Sequence, residues 1–372
     1  MRVIHLANYG GPYPGSFIPM VEAAARAVRE RGGEATLAFS ESARERSWMR
    51  QLEAGQVPVA VAPRGDDRAK ARWIAELAGN GDHPTILHTH FTTFDLPALR
   101  AARGRPRTAV LWNMHTSLRQ ERSMRLRNSA KFALAGRRVA AIVCVGESIA
   151  AEVGARHAPS GRVVVLQNAI DVERFPPIDA ARRSEARRRL GLDEGLPVLL
   201  HFGWDWHVKG GDLLAGAVQR LARLGPVAAL SVGCDPKVVA AQSERLGLPE
   251  GALRVLEPTD DVAGLYAAAD VFAATSRAEA FSFAAVEAVA SGLPVVATDI
   301  PAHATIAREI GNVRLVPHDP DAVAGAVRET LARDPADAAE DAARGRARVA
   351  ERMDLASWSR RLMELYERAL QP

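Results

Sequence analysis

Two carboxylates, Glu279 and Glu287, are separated by seven residues in the run Ser276-Arg277-Ala278-Glu279-Ala280-Phe281-Ser282-Phe283-Ala284-Ala285-Val286-Glu287-Ala288, and they are its only acids. From residue 283 to 290 the side chains suit a helix that is apolar nearly all round, and such a helix is normally buried. An ionised Glu287 is costly there unless something hydrogen-bonds it. The hydroxyl pair of a bound polyol would serve, and so would a structural arginine partner. Ser282 suits an N-cap, and Gly292-Leu293-Pro294 suits a stop. Glu279 then falls in the loop before the helix, beside backbone amides near Phe283 that attract phosphate. The segment reads as a site for a nucleotide bearing a sugar, with a buried structural glutamate as the alternative.

Other polar residues stand just after apolar runs. In His201-Phe202-Gly203-Trp204-Asp205-Trp206-His207-Val208-Lys209-Gly210-Gly211 a lysine precedes a glycine pair and a new helical pattern, which suits a diphosphate or, alternatively, a solvated turn. Gly10 and Gly11, after the first apolar run, would allow close ligand approach or a tight turn; they do not form the G-x-G-x-x-G dinucleotide fingerprint. His88 and His90 share a face of one strand end, but with no third ligand nearby in sequence they are not read as a metal site. His115 closes a separate strand, where a ligand contact is favoured over a packed polar role. Asp319-Pro320-Asp321 matches a D-x-D pattern, yet an N-cap and a first-turn acid explain it better. No metal is expected.

The elements that must position these residues alternate regularly. Apolar runs suited to buried parallel strands fall at 3–7, 35–39, 85–88, 109–113, 141–145 and 163–166, then at 198–202, 228–232, 254–256, 271–274, 294–298 and 313–316, with helical patterns between them. The pattern implies two doubly wound α/β domains, joined through 168–177 with its paired prolines, and ligands gathered beyond the carboxyl ends of the strands. Trp358, Leu362, Leu365, Tyr366 and Ala369 recur at helical spacing and demand a partner surface.

A chain of 372 residues, 48% hydrophobic and 25% charged, fits two soluble globular domains facing a cleft. Nothing approaches the roughly 18 apolar residues of a membrane span, and the N-terminus lacks a signal-peptide pattern, so a cytoplasmic location is expected. Cys144 and Cys234 read as packed thiols. Arg119, Arg122, Arg125, Arg127, Lys131, Arg137 and Arg138 oppose only Glu121 within residues 119–138. That window could meet an anionic membrane face or remain solvated; without interleaved aromatics it does not suggest nucleic acid.

Together these segments resemble the retaining glycosyltransferases of family 4, over essentially the whole chain. Glu279 through Glu287 looks like that family's E-x7-E motif, with support from Gly10-Gly11, His115, Asn168–Phe175, Lys209-Gly210 and Leu265-Tyr266-Ala267-Ala268-Ala269-Asp270. The resemblance implies a GT-B fold: two Rossmann-like doubly wound domains facing across a cleft, with the C-terminal helix crossing back to the N-terminal domain. It implies an acceptor-binding domain at 1–170, joined by 355–372, and a donor-binding domain at 171–354. Glu287 would hold ribose hydroxyls and Glu279 would lie beside the donor sugar. Lys209, helped by amides at Phe281, Ser282 and Phe283, would hold the diphosphate near Gly203. His115 would contact the sugar, while Gly10, Gly11 and His90 would meet the acceptor.

One departure matters: where the family usually has an arginine after the glycine matched by Gly203, this chain has Trp204, so Arg277 or His207 would have to meet a phosphate charge. The resulting expectation is metal-independent, retaining transfer of a sugar from a nucleoside diphosphate donor, with UDP or GDP as the nucleotide, to the hydroxyl of a glycolipid, polysaccharide or small molecule, with no cofactor. A non-catalytic nucleotide-sugar-binding or scaffold protein and a sugar-nucleotide epimerase are the alternatives.

Overall fold

The computed structural model describes residues 1–55, 57–118 and 121–371; Arg119, in the basic window, lies outside the described residues. The chain forms two compact units, Met1–Ile170 with Leu355–Pro372, and Asp171–Asp354. The first contains β1 (Arg2–Ala7), β2 (Glu34–Phe39), β3 (Val59–Val61), β4 (Thr85–His90), β5 (Thr108–Met114), β6 (Ala141–Cys144) and β7 (Val163–Val165). The second contains β8 (Val198–Phe202), β9 (Ala228–Val232), β10 (Leu253–Leu256), β11 (Val271–Ala274), β12 (Val295–Thr298) and β13 (Val313–Val316).

Every strand pair is parallel, in the orders β3-β2-β1-β4-β5-β6-β7 and β10-β9-β8-β11-β12-β13. Central parallel strands are covered on both faces and therefore appear in the sequence as unbroken apolar runs. Val3, Ile4, Leu87 and Leu111 are fully buried in the first sheet, as are Leu199, Ala229, Val271 and Ala273 in the second. The strand order reverses between β1 and β4, and again between β8 and β11. Loops leaving the carboxyl ends at these two points can splay apart and admit a ligand.

The last helix, Leu355–Ala369, belongs to the first unit and packs against the helix Phe17–Glu30. It buries Trp358, Leu362, Leu365 and Tyr366, the apolar stripe that its spacing required, while Ala369 is half-buried. In the second unit, Leu214, Val218, Val296 and Val327 join the strands in one core.

A buried cation ties the edge of that core together. Arg187 has no exposure, and its guanidinium donates to Ala268 O (3.1 Å), Asp193 O (2.8 Å), Glu194 O (2.7 Å), Leu196 O (3.0 Å) and Asp270 Oδ2 (2.7 Å). Asp270 also accepts from Arg183 and, at 2.8 Å, from the amide that opens β8, Val198 N. Removing the guanidinium would strand several acceptors away from water. Arg187→Met is expected to destabilise the second unit by about 3 kcal/mol, the scale for breaking a buried ion pair from one side. Urea unfolding of the variant checks this, and a loss under ~1 kcal/mol would show that the contact behaves like a surface pair.

Candidate functional site

The second unit's switch point brings Lys209 and Glu279 into contact. Lys209 follows β8, Glu279 follows β11, and Lys209 Nζ lies 2.5 Å from Glu279 Oε1, with both side chains mostly enclosed. Ser276 Oγ donates to the same carboxylate oxygen at 2.8 Å. The two loops are laced together beneath this pair: Arg277 N donates to Val208 O (2.8 Å), and Thr275 Oγ1 lies 2.9 Å from Lys209 O and 3.0 Å from Gly210 O. Such close approach requires glycine at 210. Its φ is +68°, and a Cβ there would stand 1.9 Å from Thr275 O. His201 Nε2 lies 3.0 Å from Lys209 O and so carries the proton, leaving Nδ1 to accept from Ser231 Oγ at 2.9 Å. Burial, with a smaller contribution from the nearby Lys209 charge, lowers this imidazole's pKa to about 4 and keeps it neutral.

Glu287 lies in the helix Phe283–Ala290, the span its apolar pattern required, and is buried at 8% exposure. Its compensating contact includes the fully buried Tyr266, whose hydroxyl donates to Glu287 Oε2 at 2.8 Å. Burial and the neighbouring carboxylate hold the Tyr266 phenol protonated, well above its ordinary pKa. Ser282 occupies the N-cap position, as expected, although its hydroxyl makes no capping bond. Among the described residues, the amides of Phe281, Ser282 and Phe283 make no backbone hydrogen bond. They remain available at the helix start.

Arg277 and Trp204 are arranged differently from any simple phosphate clamp. The Arg277 guanidinium donates to both Asp212 oxygens at 2.7 Å and to His207 O at 2.6 Å, so its charge is already matched. Trp204 is 69% exposed, and Lys209 Nζ sits 5.0 Å from its ring centroid. The lysine is thus held between a carboxylate and an aromatic face. Gly203 is buried against His201 and Ser231. The D-x-D pair is structural: Asp319 caps its helix through Ala322 N at 2.8 Å, and Asp321 pairs with Arg220 at 2.5 Å.

In the first unit, Gly10 packs so tightly on the loop after β2 that a Cβ would meet Ser42 Oγ at 2.3 Å, while Gly11 O accepts from Trp48 Nε1 at 3.0 Å. His90 is fully buried, and its two ring nitrogens meet His5 Nδ1 at 3.1 Å and His115 Nε2 at 2.9 Å. No His90 nitrogen is left for an acceptor in this arrangement. His115 is half-buried, stacked on Phe91 with centroids 4.8 Å apart. His5, which sequence reasoning passed over as an ordinary strand residue, joins His88 and His90 in a group whose ligand atoms lie within 4.8 Å of one another.

The chain is thus built as two doubly wound parallel units, with a lysine, two carboxylates and open helix amides at one switch point of the second. Comparison with known proteins identifies the family. Residues 20–174 match the family model described as Glycosyltransferase Family 4, and residues 196–333 match that for Glycosyl transferases group 1. The chain belongs to this family of glycosyltransferases, which has the GT-B fold. It is 34% identical over 187 residues to a D-inositol 3-phosphate glycosyltransferase of Geodermatophilus obscurus, covering 46% of this chain and 41% of the relative. It is 36% identical over 147 residues to the lipopolysaccharide core biosynthesis mannosyltransferase LpsB of Rhizobium meliloti, covering 37% and 41%. The matched stretches span only 41% of the length of each of these relatives. The fold is shared with Anabaena HepE, solved in complex with UDP-glucose, at a TM-score of 0.83, 21% identity and 98% coverage of both chains.

The imidazole cluster makes a pH-dependent contribution of predictable sign. Burial lowers the His5 pKa from 6.5 to about 3. The unfolded chain therefore takes up a proton below pH 6.5 that the folded chain refuses, and the stabilisation present above pH 6.5 is lost as pH falls toward 3. Between pH 7 and pH 5, His5 alone is expected to cost about 2 kcal/mol. Urea midpoints should fall over this range, and fall less in His5→Leu; equal pH dependence in both proteins would contradict the assignment.

Proposed function

We propose that the protein transfers a sugar, with retention at the anomeric carbon, from a nucleoside diphosphate sugar to a hydroxyl acceptor. The observation that carries this reading is the Lys209–Glu279 contact at 2.5 Å, beside the open amides of Phe281–Phe283 and the buried Glu287. In the resting protein Glu279 occupies the cation that a diphosphate would claim. Donor binding exchanges that partner: Lys209 turns to the phosphates with the helix amides, and Glu279 is released toward the sugar. Glu287, braced by Tyr266, accepts from the ribose hydroxyls. Catalysis is then mainly electrostatic stabilisation of the departing diphosphate, with no metal required. His115 contacts the sugar near the reacting carbon. HepE in complex with UDP-glucose supports a UDP-linked hexose as the first donor to test.

The two carboxylates should separate kinetically. Glu287→Gln should weaken donor binding by about 1.5–3 kcal/mol, the range for a hydrogen bond to a charged group. Glu279→Gln removes the competitor for Lys209, so nucleoside diphosphate affinity should hold or rise while turnover falls. Calorimetry and turnover measured for both variants test this. Unchanged affinity and rate in both would reduce the pair to structural residues. The substitution of Trp204 for the family's usual arginine favours a second reading, a binder without turnover; a donor-panel transfer assay separates the two.

The basic window supports a peripheral location at the inner membrane face. Arg122, Arg125, Arg127, Arg137 and Arg138 are exposed, together with Leu126 at 74% and Leu134 at 76%. Lys131 instead turns inward to the buried Asp95 and lies 4.7 Å from the Trp112 ring centroid. No helix among the described residues is long and apolar enough to cross a membrane. Cosedimentation with anionic vesicles is expected at low salt and lost at high salt. Absence of binding at low salt would end the membrane reading.

A further inference from the structure

Four imidazoles and a phenol form a continuous chain through the core of the first unit. His5 and His88 are register partners across β1 and β4, and His90 lies two residues beyond His88, so all three leave the sheet on one face. The last helix supplies Tyr366 to the same group. His88 Nδ1 lies 2.6 Å from Tyr366 Oη, which lies 3.5 Å from His5 Nε2. His5 Nδ1 then meets His90 Nε2 at 3.1 Å, and His90 Nδ1 meets His115 Nε2 at 2.9 Å. His5, His88, His90 and Tyr366 are at most 1% exposed.

Proton counting restricts this chain severely. Burial lowers the pKa of all four imidazoles far enough to keep them neutral at pH 7, and a neutral imidazole has one N–H and one acceptor nitrogen. Each ring's role therefore sets its neighbour's, and only two arrangements run through the whole chain. In one, every imidazole holds its proton on Nε2, and the chain deposits an N–H on His88 Nε2. That atom is buried and has no hydrogen-bond partner among the described residues. In the other, every imidazole holds its proton on Nδ1, and His88 Nε2 bears only a lone pair. A buried donor without an acceptor is the rarer and costlier defect, so the second arrangement is favoured.

We propose that Tyr366, His5 and His90 are positioning residues that hold His115 as its Nδ1–H tautomer, presenting a neutral N–H donor at the end of β5 to an oxygen of the transferred sugar. A histidine free in water prefers the opposite tautomer, so the chain must impose this one. The backbone next to His90 fits the same purpose. Phe91 and Thr92 are consecutive non-glycine residues in left-handed conformation, at φ 61° and 57°, and this strained turn places the Phe91 ring on His115, while Phe17 stands nearly perpendicular to the imidazole with its centroid 5.3 Å away and also packs on Phe91. Ring stacking fixes the orientation of His115 while the hydrogen-bond chain fixes its proton. The last helix thereby acts on His115 through His5 and His90.

The catalytic consequence rests on the proposed role of His115; the tautomer itself does not, because it is read without substrate. Nitrogen-15 imidazole spectra of the wild type should show His115 protonated on Nδ1. Tyr366→Phe removes the donor to His5 Nε2 and should release His115 to the Nε2–H form or to a mixture. It should also lower turnover about tenfold, with donor KM within about twofold. His5→Leu cuts the chain at its next link and should do the same, so one variant serves if the other does not fold. An Nε2–H wild-type His115, or a tautomer unchanged in a folded variant, overturns the proposal. So does stoichiometric zinc bound by His5, His88 and His90 in the purified protein. If the tautomer changes but turnover does not, the positioning role in catalysis fails. Loss of donor binding or transfer by the wild type would instead overturn the proposed function.

Discussion

Two loops of the second unit are interlocked so closely that neither can be described without the other. The segment after β8 turns through Gly210 in the left-handed region because the backbone of Thr275, after β11, occupies the space a side chain would need. That contact brings Lys209 to Glu279 and sets the start of the helix holding Glu287. The opposed charges are not a stability device in the usual sense. A partly enclosed ion pair gains little over its desolvation cost, but it keeps Lys209 in place at the switch point, and the proposed exchange for a diphosphate would start from this pair. The parallel sheet supplies the setting, since reversal of strand order between β8 and β11 is what lets the two loops meet above a gap.

Buried polar groups recur in both units, with different consequences. Arg187 is satisfied on every side and clips a helix, a loop and the start of β8 into one piece. In the histidine chain of the first unit the linking ring nitrogens are paired with one another or with Tyr366, while the buried His88 Nε2 at its start has no partner among the described residues, and the proposed direction of the chain rests on that atom. A fully paired network specifies structure; a network with one bare atom also specifies where its protons reside.

Much of the fold was legible because buried parallel strands leave apolar runs. Four strands of the second unit, β8, β9, β11 and β13, have the same bounds in sequence and structure, and most others differ by one or two residues. The exception is β3, Val59–Val61, a three-residue, half-buried edge strand beside Pro58 with too little apolar contrast to register. The helix Phe283–Ala290 was legible from its apolar run, and Asp319 from its place before a proline and a periodic segment. The site was legible only as separate residues. Lys209 and Glu279 are 70 positions apart, and their contact depends on strand order. The partners that redefine the other residues also lie outside the local segment: Asp212 for Arg277, Tyr266 for Glu287, 21 positions away, and His5 with Tyr366 for His90. Each is unremarkable in its own segment, and only packing reveals what it does.

Lys209 is the group through which the whole functional account passes, and calorimetric titration with UDP and UDP-glucose of the wild type and of Lys209→Met probes it directly. The account predicts saturable one-to-one binding to the wild type and a loss of at least tenfold in affinity for the variant, about 1.4 kcal/mol or more, with the fold intact by circular dichroism. Equal affinity of the two proteins for both ligands would contradict it.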